Sequence, residues 1–199
     1  MIKSGSLRAV REGRDWRIDP ADLPKQPNQS RALSARMAWN LIELSTDSPS
    51  LNLASSERER LIEYWNRLGN SEHPAHLLRS WMRSRAQRRC FQARDLDYLR
   101  DDERLMPSGL SSPLAGLSGA HQVEGYVLAE DIDRLVLDHM LVESSPANSN
   151  VVLHVVSQMR YRDNAPALLV AADLADHHDR FGREDEQVRE LINAVWHER

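Results

Sequence analysis

The sequence predicts an α+β protein: a short N-terminal β-hairpin, a central helical bundle and a small C-terminal α/β lobe. Two observations carry this prediction. Apolar residues recur at helical spacing through much of the region between residues 35 and 92, and from residue 123 onward the segments alternate strand, helix, strand, helix. The composition shifts to Gly, Ser and Pro at residue 106. We therefore expect three parts, covering residues 1–25, 26–105 and 106–199.

The first part is predicted to be a hairpin. Residues 6–18, "SLRAVREGRDWRI", have the pattern of two short strands around a turn at Glu12 and Gly13. Asp19 suits the N-cap of a following helical turn, and Pro20 suits its first position. Residues 24–30 are polar and contain proline, so they are predicted to be a linker.

The second part is predicted to consist of four helices, each with start or stop signals. Ser34 is placed to cap the first, Ser55 or Ser56 the second, and Gly69 is placed to end the second. The predicted helices run from residue 35 to 44, from the Ser55 or Ser56 cap to Leu68, from Pro74 to about Gln92, and from about residue 96 to 103.

The third predicted helix has an apolar face and a basic face. Its apolar face includes Leu78 and Trp81. Two interpretations of the basic face remain open: it contacts a nucleic acid, or it pairs with the acidic C-terminal lobe of the same chain. The basic residues are Arg79, Arg83, Arg85, Arg88 and Arg89.

The third part is predicted to contain two strands and three helices after a loop. "VEGYVL" (123–128) and the β-branched "VVLHVV" (151–156) are the strands. The helices are predicted at residues 130–142, within residues 166–178, and at residues 183–196, where apolar residues again follow helical spacing.

Composition excludes several classes of protein. The 199 residues are 41% hydrophobic and 28% charged, which is typical of a globular domain rather than a disordered chain. No apolar run approaches 18 residues, so we expect no membrane span. The single cysteine, Cys90, permits neither an internal disulfide nor a multi-cysteine metal site, and it fits a cytoplasmic protein.

Charge is distributed unevenly along the chain. Residues 1–105 carry 19 Lys/Arg against 15 Asp/Glu, whereas residues 106–199 carry 7 against 15, and together they give the net charge of −4. A solvated surface accounts for many such asymmetries. The asymmetry also suits a basic part that meets an anion and an acidic part that meets a basic partner.

The candidate catalytic residues are few. Asp173 and His177 are four residues apart on a predicted helix, and with His178 they are the best metal-like group, although a solvated helix end explains them better. His154 alternates with apolar residues and is predicted to be a structural histidine. The sequence has no nucleophile elbow, kinase motif or dinucleotide fingerprint, so we expect no cofactor and no enzyme activity.

The opening residues resemble a known family. The order of residues 2–23 is similar to the second half of an excisionase-type, MerR-like winged-helix domain, in which the hairpin is the β-wing. The matching residues are Ile2, Gly5, Leu7, Ala9, Val10, Arg11, Gly13, Arg14, Trp16, Arg17, Ile18, Asp22 and Leu23.

This resemblance implies contact with DNA. Trp16, Ile18, Leu7 and Val10 would face inward, and the wing arginines would lie near phosphates. The family's first helix and most of its recognition helix would precede Met1, and without them base readout is lost. The implied DNA-binding residues are Arg8, Arg11, Arg14 and Arg17.

The remaining segments resemble antitoxins. "SGLSS", "VEGYV" and "NVVLHVV" are similar to the C-terminal lobes of AbiE-type antitoxins, and the order of segments is similar to that of actinobacterial excisionase-headed proteins of this kind. The resemblance implies a cognate toxin as partner, no membrane, and either a monomer or a homodimer. The predicted partner-binding residues are Asp173, Asp176, Glu184, Asp185 and Glu186.

Three functional hypotheses follow. The first is a non-enzymatic regulator of antitoxin type that neutralises a toxin and regulates its own operon. The second is an excisionase-like or MerR-like transcription regulator without a toxin. The third is a metal-dependent hydrolase that uses Asp173, His177 and His178.

Overall fold

The protein has a mixed α and β architecture, with seven α-helices and a five-stranded mixed sheet in the part that the structure describes. The structure is a computed structural model. It describes residues 9–12, 15–18, 31–46, 51, 53–116, 121–162, 164–177 and 183–197. The predicted helix start at Asp19 and Pro20 and the linker 24–30 lie outside these residues.

The N-terminal hairpin consists of β1 (Ala9–Glu12) and β2 (Asp15–Ile18). The strands are antiparallel, with Val10 opposite Arg17 and Arg11 opposite Trp16. The predicted hairpin is therefore confirmed in its two strands. Neighbouring register pairs alternate between the two faces of a hairpin, so Val10 and Trp16 occupy positions on opposite faces, not together on the inner face as expected.

Three helices follow: α1 (Ala35–Leu44), α2 (Ser55–Gly69) and α3 (Pro74–Trp81). The Ser34 side chain accepts a hydrogen bond from the Met37 N–H (3.3 Å), which confirms the predicted cap of α1. For α2 the N-cap is Ala54, which has no side-chain acceptor, so the predicted serine cap is wrong.

The predicted third helix is about ten residues too long. After Trp81 the chain forms a 3-10 turn, Met82–Ser84, and then strand β3 (Gln87–Gln92). Arginine and glutamine favour helices, but pairing with a central strand of the sheet outweighs that local preference. Arg85 turns back here, and its Nη1 donates to the Met82 carbonyl (3.0 Å), which satisfies a carbonyl group of this turn.

The next segments are shorter than predicted. Helix α4 covers only Asp97–Arg100, because the Asp102 side chain accepts from the Arg104 N–H (2.9 Å) and starts a turn. The predicted loop after residue 106 contains strand β4 (Met106–Pro107) and two 3-10 turns, Gly109–Ser111 and Pro113–Ala115.

The C-terminal elements largely confirm the sequence prediction. They are β5 (Val123–Leu128), α5 (Ile132–Asp138), β6 (Val142–Glu143), β7 (Val151–Val156), α6 (Ala167–Ala175) and α7 (Arg183–His197). Only the predicted helix 130–142 is wrong at its ends: it stops at Asp138, and Val142 belongs to a strand.

The sheet has the order β4-β5-β7-β3-β6, in which β5 and β7 are parallel and the other pairs are antiparallel. Residues 87–92 are therefore built into the same sheet as strands from the predicted C-terminal lobe. One face of the sheet packs on α1, α2, α3, α6 and α7. The other face packs on α4 and α5.

Helix α6 is apolar on all sides, and every residue after Ala167 is buried. Such a helix belongs in the interior of a fold. Its one charged residue, Asp173, is consequently carried into the core. Within the described residues, no helix has the length and apolar character needed to cross a membrane.

Candidate functional site

A group of polar side chains is buried between the sheet and α6; we call it the polar cluster. It is unusual because the surrounding core is apolar and buried polar groups need partners. Its members come from β5, β7, α6 and the segments that follow α3, β4 and α6. They are Arg85, Ser108, Glu124, Tyr126, His154, Asp173, Asp176 and His177.

Strand alternation explains why three of these residues meet. Glu124 and Tyr126 are two residues apart in β5, so they point to the same face of the sheet. His154 pairs with Tyr126 in the β5–β7 register, and the two rings stack with centroids 4.8 Å apart. This face is the one covered by α6, which adds Asp173.

Glu124 is the acceptor for two histidines. His154 Nε2 donates to Glu124 Oε1 (2.9 Å), and His177 Nε2 donates to Glu124 Oε2 (2.8 Å). The Leu110 N–H also donates to Oε2 (3.2 Å). Burial raises the pKa of Glu124, but hydrogen bonds from the two histidines outweigh burial and hold its pKa well below the ordinary value. Glu124 is therefore a carboxylate.

Both carboxylate oxygens of Asp173 accept hydrogen bonds from neighbouring side chains. Its Oδ1 accepts from Arg85 Nε (3.0 Å), from Arg85 Nη2 and from the Tyr126 hydroxyl (2.8 Å), and its Oδ2 accepts from the Ser108 hydroxyl. Arg85 Nη2 also donates to Asp176 Oδ2 (2.7 Å). Burial raises the pKa of Tyr126 well above its ordinary value, so the phenol stays protonated and donates to Asp173.

Three members of the cluster are close enough to share a metal ion. Glu124, His154 and Asp173 each offer one ligand atom, and these atoms lie within 4.8 Å of one another. However, the Asp173 Oδ1 already accepts three hydrogen bonds, two of them from the guanidinium of Arg85. A cation beside a fixed positive charge is disfavoured. These donors fit an internal ion-pair network better than a metal site.

The centre of the polar cluster is closed to solvent. Glu124 and Asp173 have no accessible surface, and His154 is almost equally buried. A molecule at the protein surface meets only the partly exposed edges of His177 and Asp176. The geometry of the polar cluster therefore suits the positioning of β5, β7 and α6 relative to one another rather than contact with a substrate.

The free energy of unfolding is expected to fall as the pH rises through the folded-state pKa of His177. Burial lowers this pKa, but the hydrogen bond and charge of Glu124 outweigh burial and raise it. The stabilisation is therefore fully present below the unfolded-state pKa of about 6.5 and is lost as the pH rises through the higher folded-state value. Each unit between the two pKa values is worth about 1.4 kcal/mol.

Chemical denaturation from about pH 5.5 to about pH 9 measures this slope. His177→Gln should flatten it, whereas His121→Gln, at an exposed position, should leave it unchanged. An equal slope in the wild type and His177→Gln would contradict the stabilisation of protonated His177 by Glu124. The contribution of Glu124 to stability changes with pH in the opposite direction. Its folded-state pKa is lowered, so the stabilisation is present above the ordinary value of 4.5 and is lost as the pH falls through the lower folded-state value.

The structure describes the predicted DNA-binding residues only in part. Arg11 and Arg17 lie in β1 and β2, in neighbouring register pairs, and so at positions on opposite faces of the hairpin. Arg8 and Arg14 lie outside the described residues. DNA contact by these four arginines stays a prediction.

The predicted partner-binding carboxylates are separated by the fold. Asp173 has no surface to offer a partner, and Asp176 is committed to Arg85. Asp185 and Glu186 are exposed on α7, where contact with a partner stays a prediction. Glu184 belongs to the same helix, but its side chain lies outside the described part, as does His178.

Most of the predicted basic helix face is internal. Arg79 Nε donates to the Ala175 carbonyl at the end of α6, Arg85 is buried in the polar cluster, and Arg89 pairs with Glu143. The interpretation that these arginines pair with the C-terminal part of the chain is thus confirmed for three of them. Arg83 and Arg88 are exposed, although Arg88 pairs through its backbone with His154 in the β3–β7 register.

The roles of Glu124, Tyr126 and Arg85 in this cluster were not predicted. The available signal was in the pattern: "VEGYVL" places Glu124 and Tyr126 on one face of a strand, and "ALLVAADLA" has a single charge in an apolar helix. A charge in such a run needs a buried partner. Nothing local, however, indicates that the partner is Arg85.

Comparison with known proteins adds no relative. No protein-family model matches the sequence, and neither the curated proteins nor the solved structures give a match.

Proposed function

We propose that this chain is a non-enzymatic regulator of antitoxin type, which contacts DNA through its N-terminal hairpin and neutralises a toxin through its C-terminal lobe. The observation that carries the proposal is the antiparallel pairing of β1 and β2, which is the backbone arrangement of a wing. The closed polar cluster supports the non-enzymatic part, because its central groups are occupied by one another.

The wing supplies affinity rather than sequence readout. Arginines near phosphates hold a protein on the duplex, whereas base contacts from a recognition helix supply specificity. Binding through the hairpin alone is therefore weakly specific and strongly dependent on salt.

The C-terminal half supplies the partner contact. Residues 106–199 carry 15 Asp/Glu against 7 Lys/Arg, so a basic toxin is attracted to them and its encounter is accelerated. Covering the toxin's reactive surface then blocks its activity without any chemical step in this chain.

The first test is co-purification of the tagged full chain from its native host. A protein that is recovered in a one-to-one ratio, and whose toxicity the chain suppresses on co-expression, is the expected result. Recovery of nucleic acid alone would favour the transcription regulator without a toxin. If neither a one-to-one protein nor nucleic acid is recovered, both the antitoxin and the transcription-regulator hypotheses are contradicted.

The hairpin contribution is measured by titrating the full chain with duplex DNA of the host's upstream region at several salt concentrations. Replacing Arg11 and Arg17 by Ala is expected to weaken binding at every sequence and to reduce the salt slope by about one for each lost phosphate contact. Arg134→Ala, at an exposed position on α5, is the matched control. An unchanged slope would exclude Arg11 and Arg17 from the DNA contact.

A further inference from the structure

The end of α5 and strand β6 expose three large apolar side chains within six residues. Leu137, Met140 and Val142 have exposed fractions of 76%, 82% and 66%. In the described part of the chain only six large hydrophobic side chains are exposed, so half of them occur in this short segment. Single exposed apolar residues need no explanation, but a group of this kind marks an interaction site. We call these three residues the α5–β6 surface.

Met140 has a backbone conformation that its side chain does not favour. Its φ is +50°, and among the described residues it is the only non-glycine with a positive φ. The Leu141 N–H donates to the Val136 carbonyl (2.9 Å) and the Met140 N–H to the Leu137 carbonyl (3.2 Å). This is the Schellman arrangement, in which Met140 occupies the position usually taken by glycine.

An exposed methionine at that position gains little from the fold itself. Glycine would relieve the left-handed strain, and the Met140 side chain buries little surface in return. Backbone strain that the fold does not require is often a mark of a functional position. The strain and the exposure together indicate that the side chain serves a contact outside the chain.

The surface is held rigidly before any partner arrives. Arg104 Nη1 donates to Asp138 Oδ2 (2.9 Å), and His139 Nε2 donates to Asp102 Oδ2 (2.7 Å). Leu141, next to Met140 in the chain, is buried in the hydrophobic core, and Glu143 pairs with Phe91 in the sheet. A preformed surface loses little conformational entropy on binding.

The charge around this surface is negative. Residues 130–143 contain five carboxylates and one arginine, Arg134. Asp138 and Glu143 have arginine partners, but no described residue forms an ion pair with Glu130 or Asp133. A second copy related by two-fold symmetry would place these carboxylates against one another. A partner with lysine and arginine beside its apolar residues is complementary.

We infer that the α5–β6 surface is the docking site for a basic segment of a partner protein, with apolar side chains that cover Leu137, Met140 and Val142. The inference rests on the proposed function for the existence of that partner. It places the partner contact on the α5–β6 surface rather than on the acidic residues of α6 and α7.

The test uses the full chain and the one-to-one partner recovered from the native host, expressed and purified separately. Met140→Gly and Leu137→Ala are compared with Ile62→Ala, a truncation of an exposed apolar residue on α2. Isothermal titration gives the Kd, and denaturant unfolding gives the midpoint. Met140→Gly is expected to raise the midpoint while weakening binding about tenfold or more.

Each other outcome has a defined meaning. If the partner binds both variants as tightly as the wild type, the docking site is wrong although the proposed function stands. If no one-to-one partner exists, both the docking site and the proposed function are contradicted. If sedimentation shows a wild-type dimer that Met140→Gly dissociates, the surface binds a second copy and the inference is overturned.

Discussion

Replacing Asp173 with Ala is expected to lower the free energy of unfolding by about 3 kcal/mol, because it leaves a buried guanidinium with one of its two carboxylates. Among the described residues, Asp176, which is partly exposed, would be the one carboxylate still paired with Arg85. The Ser108 and Tyr126 hydroxyls would lose their acceptor in the core at the same time. Denaturant titration measures the change, and an unaltered m-value shows that the folded state is otherwise preserved.

Asp138→Ala is the matched control. Asp138 also accepts from an arginine, Arg104, at 2.9 Å, but its side chain is nearly half exposed. Exposed ion pairs contribute about 0–1 kcal/mol, so this substitution should have a small effect. Similar losses for Asp173→Ala and Asp138→Ala would show that the buried pair has no special role.

A double replacement separates the pair from the packing around it. Arg85→Met with Asp173→Leu removes both charges and keeps apolar volume at the site. Buried ion pairs can be replaced in this way with little loss, whereas single replacements leave an unpaired charge. We expect the double variant to be more stable than either single variant. An additive loss would indicate that the two charges do not interact.

The polar cluster also shows what sequence patterns can and cannot predict. Periodicity predicted α1, α2, α6, α7, β5 and β7, because each buries a regular face or a continuous apolar run. It failed at β3, where residues with good helix propensity pair instead with β7. Strand pairing depends on a partner about sixty residues away, which no local window contains.

The site was harder to predict than the fold for the same reason. His154 was predicted to be structural, and the structure places it in the core with Glu124 as acceptor. Asp173 and His177 were predicted to be either a metal-like pair or part of a solvated helix end, yet Asp173 is buried and both residues reach the cluster. Because burial depends on where α6 docks, the sequence alone does not distinguish a buried carboxylate from one that meets a partner.

Gly109→Ala is expected to destabilise the protein by about 3 kcal/mol or more through two effects. Gly109 has φ +51°, where a Cβ costs about 1–2 kcal/mol. That Cβ would lie 1.9 Å from Glu124 Oε2, so the carboxylate must move. Moving it breaks hydrogen bonds from His154 and His177, which leaves buried donors unsatisfied.

Gly116→Ala separates these two effects. Gly116 has φ +62°, but among the described residues the nearest atom to a Cβ there is 3.6 Å away, so alanine should cost only the backbone strain. In a Glu124→Ala background the obstructing carboxylate is gone, and Gly109→Ala should then cost about as much as Gly116→Ala. Denaturant titrations of the wild type, Gly109→Ala, Glu124→Ala and their double variant give the coupling, and NMR titration of His177 should show its pKa falling in Gly109→Ala. Equal costs for the two glycines in the wild-type background would contradict the close approach of Gly109 to Glu124, and with it the placement of the loop that closes the polar cluster.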